Sequence, residues 1–441
     1  MSAAAPLAAD HPDPPVAELI AARPHLKMHA LDGLLLEEVP LAAVADALGT
    51  PVWVYGAGTM RARCRALAEA LAGLDAHIHY AVKANDHLAV LAVLGRAGAG
   101  ADVVSGGELQ RARAAGIAPE HIVFSGVGKR ADEIRLALAE GIGQLNVESA
   151  AELAIIADIA AAMGRTAPVA LRVNPDVDAG THAKITTGRA ENKFGIPYAD
   201  AAALYAHAAS LPNLAPVGLA LHIGSQILSP APYRAAFARA AELVHALRAQ
   251  GLSVRRMDCG GGLGIGYRNE PAVSLAAFAG ALRGAFGALD LELLVEPGRW
   301  LVGPAGVLLA SVILVKGKER FVVLDAAMND LVRPAMYDAW HGIVPLSPVG
   351  ALGIPEPVDV VGPVCESSDT FARGRLLPPL PAGARVAILD AGAYGAVMSC
   401  TYNARPLAPI VLVDGARWET IRARQRCADL WAGERVPTFL E

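Results

Sequence analysis

From Ile78 to Gly298, short runs of aliphatic and β-branched residues alternate with alanine-rich stretches of helical character. That alternation is the sequence sign of repeated βα units on a parallel sheet. Eight strand-like runs can be counted: IHYAVK (78–83), ADVVS (101–105), HIVFSG (121–126), QLNVES (144–149), PVALRVN (168–174), LALHIGS (219–225), VRRMDCGGG (254–262) and LELLVEPG (291–298). Eight consecutive units of this total length match the size of a (β/α)8 barrel, about 250 residues. After Trp300 the texture changes to Val, Leu and Ile runs divided by prolines and glycines, which predicts a second, mainly β domain.

The expected organisation is therefore a loose extension over 1–30, a strand segment over 31–55, the barrel over 56–299 and the β domain over 300–441. LDGLLLEEVP and PVWVY, within 31–55, read as strand and turn that pair with the C-terminal domain. The longest apolar segment, Trp300 to Val315, is shorter than the roughly 18 residues of a spanning helix. Gly303, Pro304 and Gly306 interrupt it, so it is read as buried strands.

Composition narrows the function without choosing it. A chain of 441 residues that is 54% hydrophobic can bury a large core, and a net charge of −5 argues against a general nucleic-acid or membrane-surface binder. The five cysteines are scattered and contain no CxxC pair, so neither a disulfide framework nor a zinc site is suggested, and a reducing cytoplasm fits best. The first 30 residues lack the basic start and apolar block of a secretion signal.

The polar residues of the barrel runs gather where active sites of such barrels are built. Lys83, Asn174, His222, Ser225, the Gly260–Gly262 turn and Glu296 all fall at or just past strand ends. Lysine is scarce, seven against 31 arginines, and Lys83 closes an apolar strand. Burial there lowers an amine's pKa, and a neutral amine attacks an aldehyde; the alternative is a lysine snorkelling from the rim. Gly260, Gly261 and Gly262 let backbone N–H groups converge on a phosphate, or form an ordinary tight turn. Glu296 and Arg299 put a carboxylate and a guanidinium at the barrel mouth, either as a structural ion pair or with Glu296 against a pyridine nitrogen. His222 can stack on a flat cofactor while Ser225 reaches a phosphate, although a strand-end histidine is also commonly structural.

In the second domain, GPVCESSD brings Cys365, Glu366 and Asp369 into one turn. A thiol can donate a proton to a carbanion and a carboxylate can bind an ammonium, yet lone cysteines are often inert core residues. Arg333 and Tyr337 in RPAMY, and Tyr394 in GAYG, are a candidate carboxylate clamp and a phenol in loops. The connection from 174 to 197, with THAKITTGRAENKFG, is too polar for a packed helix, and a loop of that length is more often functional.

Together and in this order, YAVKAN, the THAKITTG-ENKFGI loop, HIGSQ, GGGLGIGY, EPGR, RPAMYDAWH, GPVCESSD and GAYG resemble the barrel-type pyridoxal-phosphate decarboxylases, the family of the diaminopimelate, ornithine and arginine decarboxylases. HIGSQ, the THAKITTG loop and CESSD look like the diaminopimelate branch. The resemblance implies that pyridoxal 5'-phosphate is joined to Lys83 with Glu296 facing its ring nitrogen. His222 would stack on the ring, and Ser225, Gly260, Gly261, Gly262, Gly298, Arg299 and Tyr394 would complete the cofactor site. Arg299, Arg333, Tyr337 and Tyr394 would hold the substrate, Glu366 its distal amino group, and Cys365 would reprotonate it.

The resemblance further implies a homodimer in which Cys365 and Glu366 reach the neighbouring subunit's barrel, while the charge balance already argues for no nucleic-acid or membrane partner. The implied reaction is decarboxylation of meso-diaminopimelate to lysine. The alternatives are a relative acting on ornithine, lysine, arginine or carboxynorspermidine, a non-catalytic cofactor-binding homologue, and a racemase of similar architecture, which the CESSD turn and the THAKITTG loop fit poorly.

Overall fold

The computed structural model describes residues 13–178, 194–317, 320–348 and 353–440. The THAKITTG segment lies outside the described residues. The eight expected runs all form parallel strands: Ala76–Ala81, Gly100–Val103, Ile122–Phe124, Gln144–Val147, Ala167–Asn174, Leu214–Ala220, Arg256–Asp258 and Glu292–Val295. Each pairs with the next, and Glu292–Val295 returns to Ala76–Ala81, so the sheet closes into a barrel. Strands such as Gly100–Val103 and Gln144–Val147 are buried at every position, as expected where helices cover one face of a parallel sheet and the barrel interior the other.

Helix starts follow from local chemistry. Ser105 and Ser149 accept the amides of Glu108 and Glu152 at 3.2 and 3.1 Å. Those glutamates reach back to the amides of Val104 and Glu148 at 2.8 and 2.7 Å. The SxxE spacing thereby satisfies orphan donors at two helix N-termini beside the barrel mouth.

The sixth strand begins earlier than expected, at Leu214, and ends before HIGSQ. Its register shifts between Pro216 and Gly218, and the proline and glycine at that irregularity hide the strand in the sequence. HIGSQ is instead the loop that leaves the strand at the barrel mouth.

The second domain is a β sheet built on Gly306–Lys316, which pairs with Phe321–Leu324, Arg385–Ile388 and Val52–Gly56. Val52–Gly56 also runs parallel to Ile410–Asp414, so PVWVY joins the C-terminal sheet as the sequence suggests. LDGLLLEEVP behaves differently, forming Gly33–Leu36 and Val39–Pro40 of a separate three-stranded antiparallel sheet with Leu26–His29. The Trp300–Val315 stretch begins as a short helix, Arg299–Val302, before the strand starts at Gly306. No described helix is long and apolar enough to cross a membrane.

Residues 13–30, expected to be loose, are built into the fold. Val16–Ala21 is a helix, and buried Arg23 donates through Nε to Asp390 at 2.9 Å and through Nη2 to the Tyr267 carbonyl at 3.0 Å. Asp13 accepts from Trp340 Nε1 at 2.8 Å and pairs with Arg375 at 2.9 Å. These anchors are polar contacts made chiefly with residues far along the chain, so no local periodicity announces them.

Candidate active site

Lys83 sits on a helical turn, Val82–Ala84, directly after the first barrel strand. Its Nζ donates to Asp102 Oδ2 at 2.6 Å. Asp102 lies on the second barrel strand and is fully buried, whereas about 31% of the Lys83 side chain remains exposed. Burial works against the ammonium charge, but Asp102 and Glu296 outweigh it and hold the amine above its ordinary value. The lowered pKa expected from burial alone is therefore not what the structure gives, because a buried carboxylate faces the amine. Asp102 Oδ1 is buried and has no hydrogen-bond partner among the described residues.

Glu296 follows the eighth strand and is 4% exposed. Burial and Asp102 push its carboxyl up to about 7, with Lys83 pulling the other way. Beneath it runs a polar chain inside the barrel. Ser125 Oγ reaches Glu296 Oε1 at 3.5 Å, Asn146 Nδ2 donates to Ser125 at 3.0 Å and to Asp258 at 2.9 Å, and Gln144 Nε2 donates to Asn146 at 2.7 Å. Buried polar groups demand such partners, and the chain fixes where the Glu296 carboxylate can point.

His222 Nδ1 lies 3.8 Å from Glu296 Oε2 and accepts the Gly261 amide at 3.4 Å. Burial and the charges of Arg172 and Lys83 lower its pKa to about 3, so it stands as a neutral ring. The glycine turn is dictated by backbone crowding. A Cβ would fall 2.2 Å from the Leu221 oxygen at Gly260, 2.0 Å from the Glu296 oxygen at Gly261 and 2.5 Å from the Gly224 oxygen at Gly262. Only glycine lets the ends of the sixth, seventh and eighth strands meet here.

At Gly298 a Cβ would press on Ala81 and Ala84 at 3.1 and 3.0 Å, and Ala81 donates to the Pro297 carbonyl at 3.3 Å. The eighth strand end is thereby held against the turn that carries Lys83. The second domain reaches the same place: the Tyr394 amide donates to the Ala84 carbonyl at 2.8 Å, and Asn85 Nδ2 to the Gly392 carbonyl at 3.1 Å.

Arg299 Nη1 donates to Tyr267 Oη at 2.8 Å and Nη2 to Ser225 Oγ at 3.1 Å, with its guanidinium 4.9 Å from the Tyr394 ring centroid. Arg333, on the short helix Arg333–Tyr337, lies 4.8 Å from the Tyr267 ring centroid and donates to His341 Nε2 at 2.7 Å. Both arginines are buried, and among the described residues neither has a carboxylate ion-pair partner. Two uncompensated guanidiniums at a barrel mouth are a receptor for carboxylate or phosphate oxygens. The structural ion pair weighed for Glu296 and Arg299 is not formed.

Cys365 and Glu366 stand apart. Asp369 accepts the amides of Met328 and Val364 at 2.7 and 2.8 Å and stiffens the turn, while Asn403 Oδ1 accepts the Cys365 amide at 2.9 Å. The turn presents both residues outward, with Cys365 an exposed free thiol, and no described hydrogen bond or ion pair links them to the Lys83 cluster.

Asp102, Tyr267 and His341 complete the site without having been singled out in the sequence. Asp102 had a signal, as an acid inside the apolar run ADVV. Tyr267 and His341 had none beyond lying in GGGLGIGY and RPAMYDAWH.

The residues fit an aldehyde cofactor bearing a phosphate and a ring nitrogen. Lys83 supplies the amine, the partnerless Asp102 Oδ1 and the buried Glu296 supply acceptors, and the glycine turn with Arg299 supplies room and charge for an anion. This is the working end of a pyridoxal-phosphate barrel. The model of the pyridoxal-dependent decarboxylases, pyridoxal binding domain, matches residues 57–303, and the chain belongs to that family.

Relatives extend the match over nearly the whole chain. It is 47% identical over 415 residues to the diaminopimelate decarboxylase of Zymomonas mobilis, covering 92% of this chain and 98% of that protein. The diaminopimelate decarboxylase of Helicobacter pylori complexed with L-lysine superposes with a TM-score of 0.87 at 41% identity, covering 89% of this chain and 99% of the other. The enzyme from M. jannaschii in co-complex with L-lysine gives a TM-score of 0.90 at 34% identity, covering 95% and 100%.

Proposed function

We infer that this chain is a carboxy-lyase that uses pyridoxal 5'-phosphate to convert meso-2,6-diaminopimelate into L-lysine and carbon dioxide. The observation that carries the reading is the combination of a barrel-mouth lysine on a buried aspartate with two buried arginines that have no acid partner among the described residues. The relatives named as diaminopimelate decarboxylases, two of them with L-lysine bound, support the same substrate.

When bound, pyridoxal phosphate supplies an electron sink for the pair left behind as a carboxylate departs. Lys83 would hold it covalently, with Glu296 against the ring nitrogen and neutral His222 against the ring. The Gly260–Gly262 turn, Ser225, Gly298, Arg299 and Tyr394 would bound the remainder. The substrate carries two carboxylates and two ammonium groups. Arg299 and Arg333, with Tyr337 and Tyr394 beside them, orient its carboxylates, and orientation is the protein's main contribution to such a reaction.

The exposed CESSD turn fits a shared site. Cys365 and Glu366 are exposed on a stiffened turn, which supports a homodimer in which each copy lends these two residues to the other. There Glu366 binds the distal ammonium and the Cys365 thiol gives its proton to the substrate's α-carbon. The free cysteines fit a reducing cytoplasm, where we place the protein.

Product analysis tests the reading. Purified protein with pyridoxal phosphate and meso-diaminopimelate should release carbon dioxide and L-lysine in equal amounts. Preference for ornithine or arginine would overturn the substrate assignment.

A further inference from the structure

Arg333 is held by an unusual partner for a buried guanidinium. Arginine has only donors, so His341 Nε2, 2.7 Å from Arg333 Nη1, must accept. The imidazole proton is then on Nδ1, which lies 2.7 Å from the Leu389 carbonyl oxygen, an acceptor. Both contacts are satisfied by one neutral tautomer and by no other protonation state.

The ring is fixed from several sides. His341 is 1% exposed and packs edge-on to Tyr267 with centroids 5.2 Å apart. Its carbonyl accepts from Arg375 Nη1 at 2.7 Å, and the Leu389 amide returns to the Gly342 carbonyl at 2.8 Å. Burial and the surrounding charges of Arg333, Arg299 and Arg375 keep the imidazole neutral. An aspartate or glutamate here would hold Arg333 more tightly, but it would also neutralise it and compete with any incoming carboxylate. A neutral acceptor aims the guanidinium and leaves its charge available.

We propose that His341 is a positioning residue that holds Arg333 as an aimed, uncompensated cation for one carboxylate of the substrate, and so favours diacids. The proposal rests on the functional reading above for the choice of substrate. It concerns His341 and Arg333 of the second domain, which meet the cofactor-holding residues through Tyr267, the acceptor for Arg299.

The test compares His341→Gln, His341→Leu and His341→Glu with the wild-type holoenzyme. Gln keeps an acceptor without charge, Leu removes the acceptor, and Glu keeps it while adding charge. The KM for meso-diaminopimelate should stay near wild type in the Gln protein. It should rise about tenfold or more in the Leu protein, the scale of one charge-assisted hydrogen bond, and at least as far in the Glu protein. kcat and cofactor content should change little. The carboxylate that distinguishes a diacid is the one the reaction does not remove, and L-lysine keeps it, so inhibition by L-lysine should weaken in step with the rise in KM.

Should the Leu protein fail to fold, the contrast between Glu and Gln carries the test alone. A KM within twofold of wild type in the Glu protein, or equal losses in kcat and KM across all three, would overturn the proposal. Wild-type protein that leaves meso-diaminopimelate unchanged would instead sink the functional reading and take this proposal with it.

Discussion

Replacing Asp102 by asparagine removes the charge facing Lys83 while keeping the side chain's size. The contact is short, 2.6 Å, and the aspartate is fully buried, so its carboxylate has no alternative solvation. Removing one member of a buried pair costs about 3–5 kcal/mol, but Lys83 keeps 31% of its side chain exposed and water replaces part of the loss, so about 1–3 kcal/mol is expected.

The sign with pH follows from the direction of the shift. The folded amine lies above its ordinary 10.5, so its contribution is fully present below pH 10.5 and is lost as pH rises through the folded value. The asparagine variant should be less stable than wild type across the neutral range, and the gap should close in strong alkali.

Without Asp102, Glu296 is the only one of the two carboxylates left to oppose burial, and the amine pKa should fall. Cofactor capture by the apo-protein requires the neutral amine. Its rate, followed by borohydride quenching at successive times, should rise with pH in wild type and begin rising at lower pH in the variant. Capture profiles that coincide, together with equal urea midpoints at pH 7, would refute the reasoning.

Three further outcomes are expected. Gly261→Ala places a Cβ 2.0 Å from the Glu296 carbonyl oxygen, so the turn must open; cofactor affinity, read by equilibrium dialysis, should fall at least about tenfold, a cost above 1.4 kcal/mol. Cys365→Ala should retain cofactor yet release lysine poorly, and undiminished turnover would remove the thiol from the mechanism. His79, buried inside the barrel with Nδ1 unpartnered among the described residues, is lowered from 6.5 to about 4, chiefly by burial. Its depressed pKa means stability that is present in full above pH 6.5 and lost as pH falls toward 4. His79→Gln should flatten that acid limb in urea titrations run from pH 7 to pH 4.

The barrel was legible in the sequence because parallel strands buried on both faces read as continuous apolar runs, and polar residues at their ends stand out. Lys83, Glu296 and the three glycines were visible for that reason. Asp102 was visible as a residue but not as a partner, because strand adjacency around a barrel is a tertiary fact. The early start of the sixth strand was masked by Pro216 at a register shift. The order in residues 13–30 was hidden because Asp13 and Arg23 find their partners more than 200 residues away, at Arg375 and Asp390. His341 carried no signal in the sequence because its value lies in two contacts, one to Arg333 and one to a carbonyl, that only the folded domain creates.

The central claim is that one amine among the chain's seven lysines carries the cofactor. Borohydride reduction of the holoprotein followed by peptide mapping should find the pyridoxyl-phosphate mass on the peptide containing Lys83 and on no other. Label on Lys129 or Lys27, or holoprotein that yields no labelled peptide, would contradict the account.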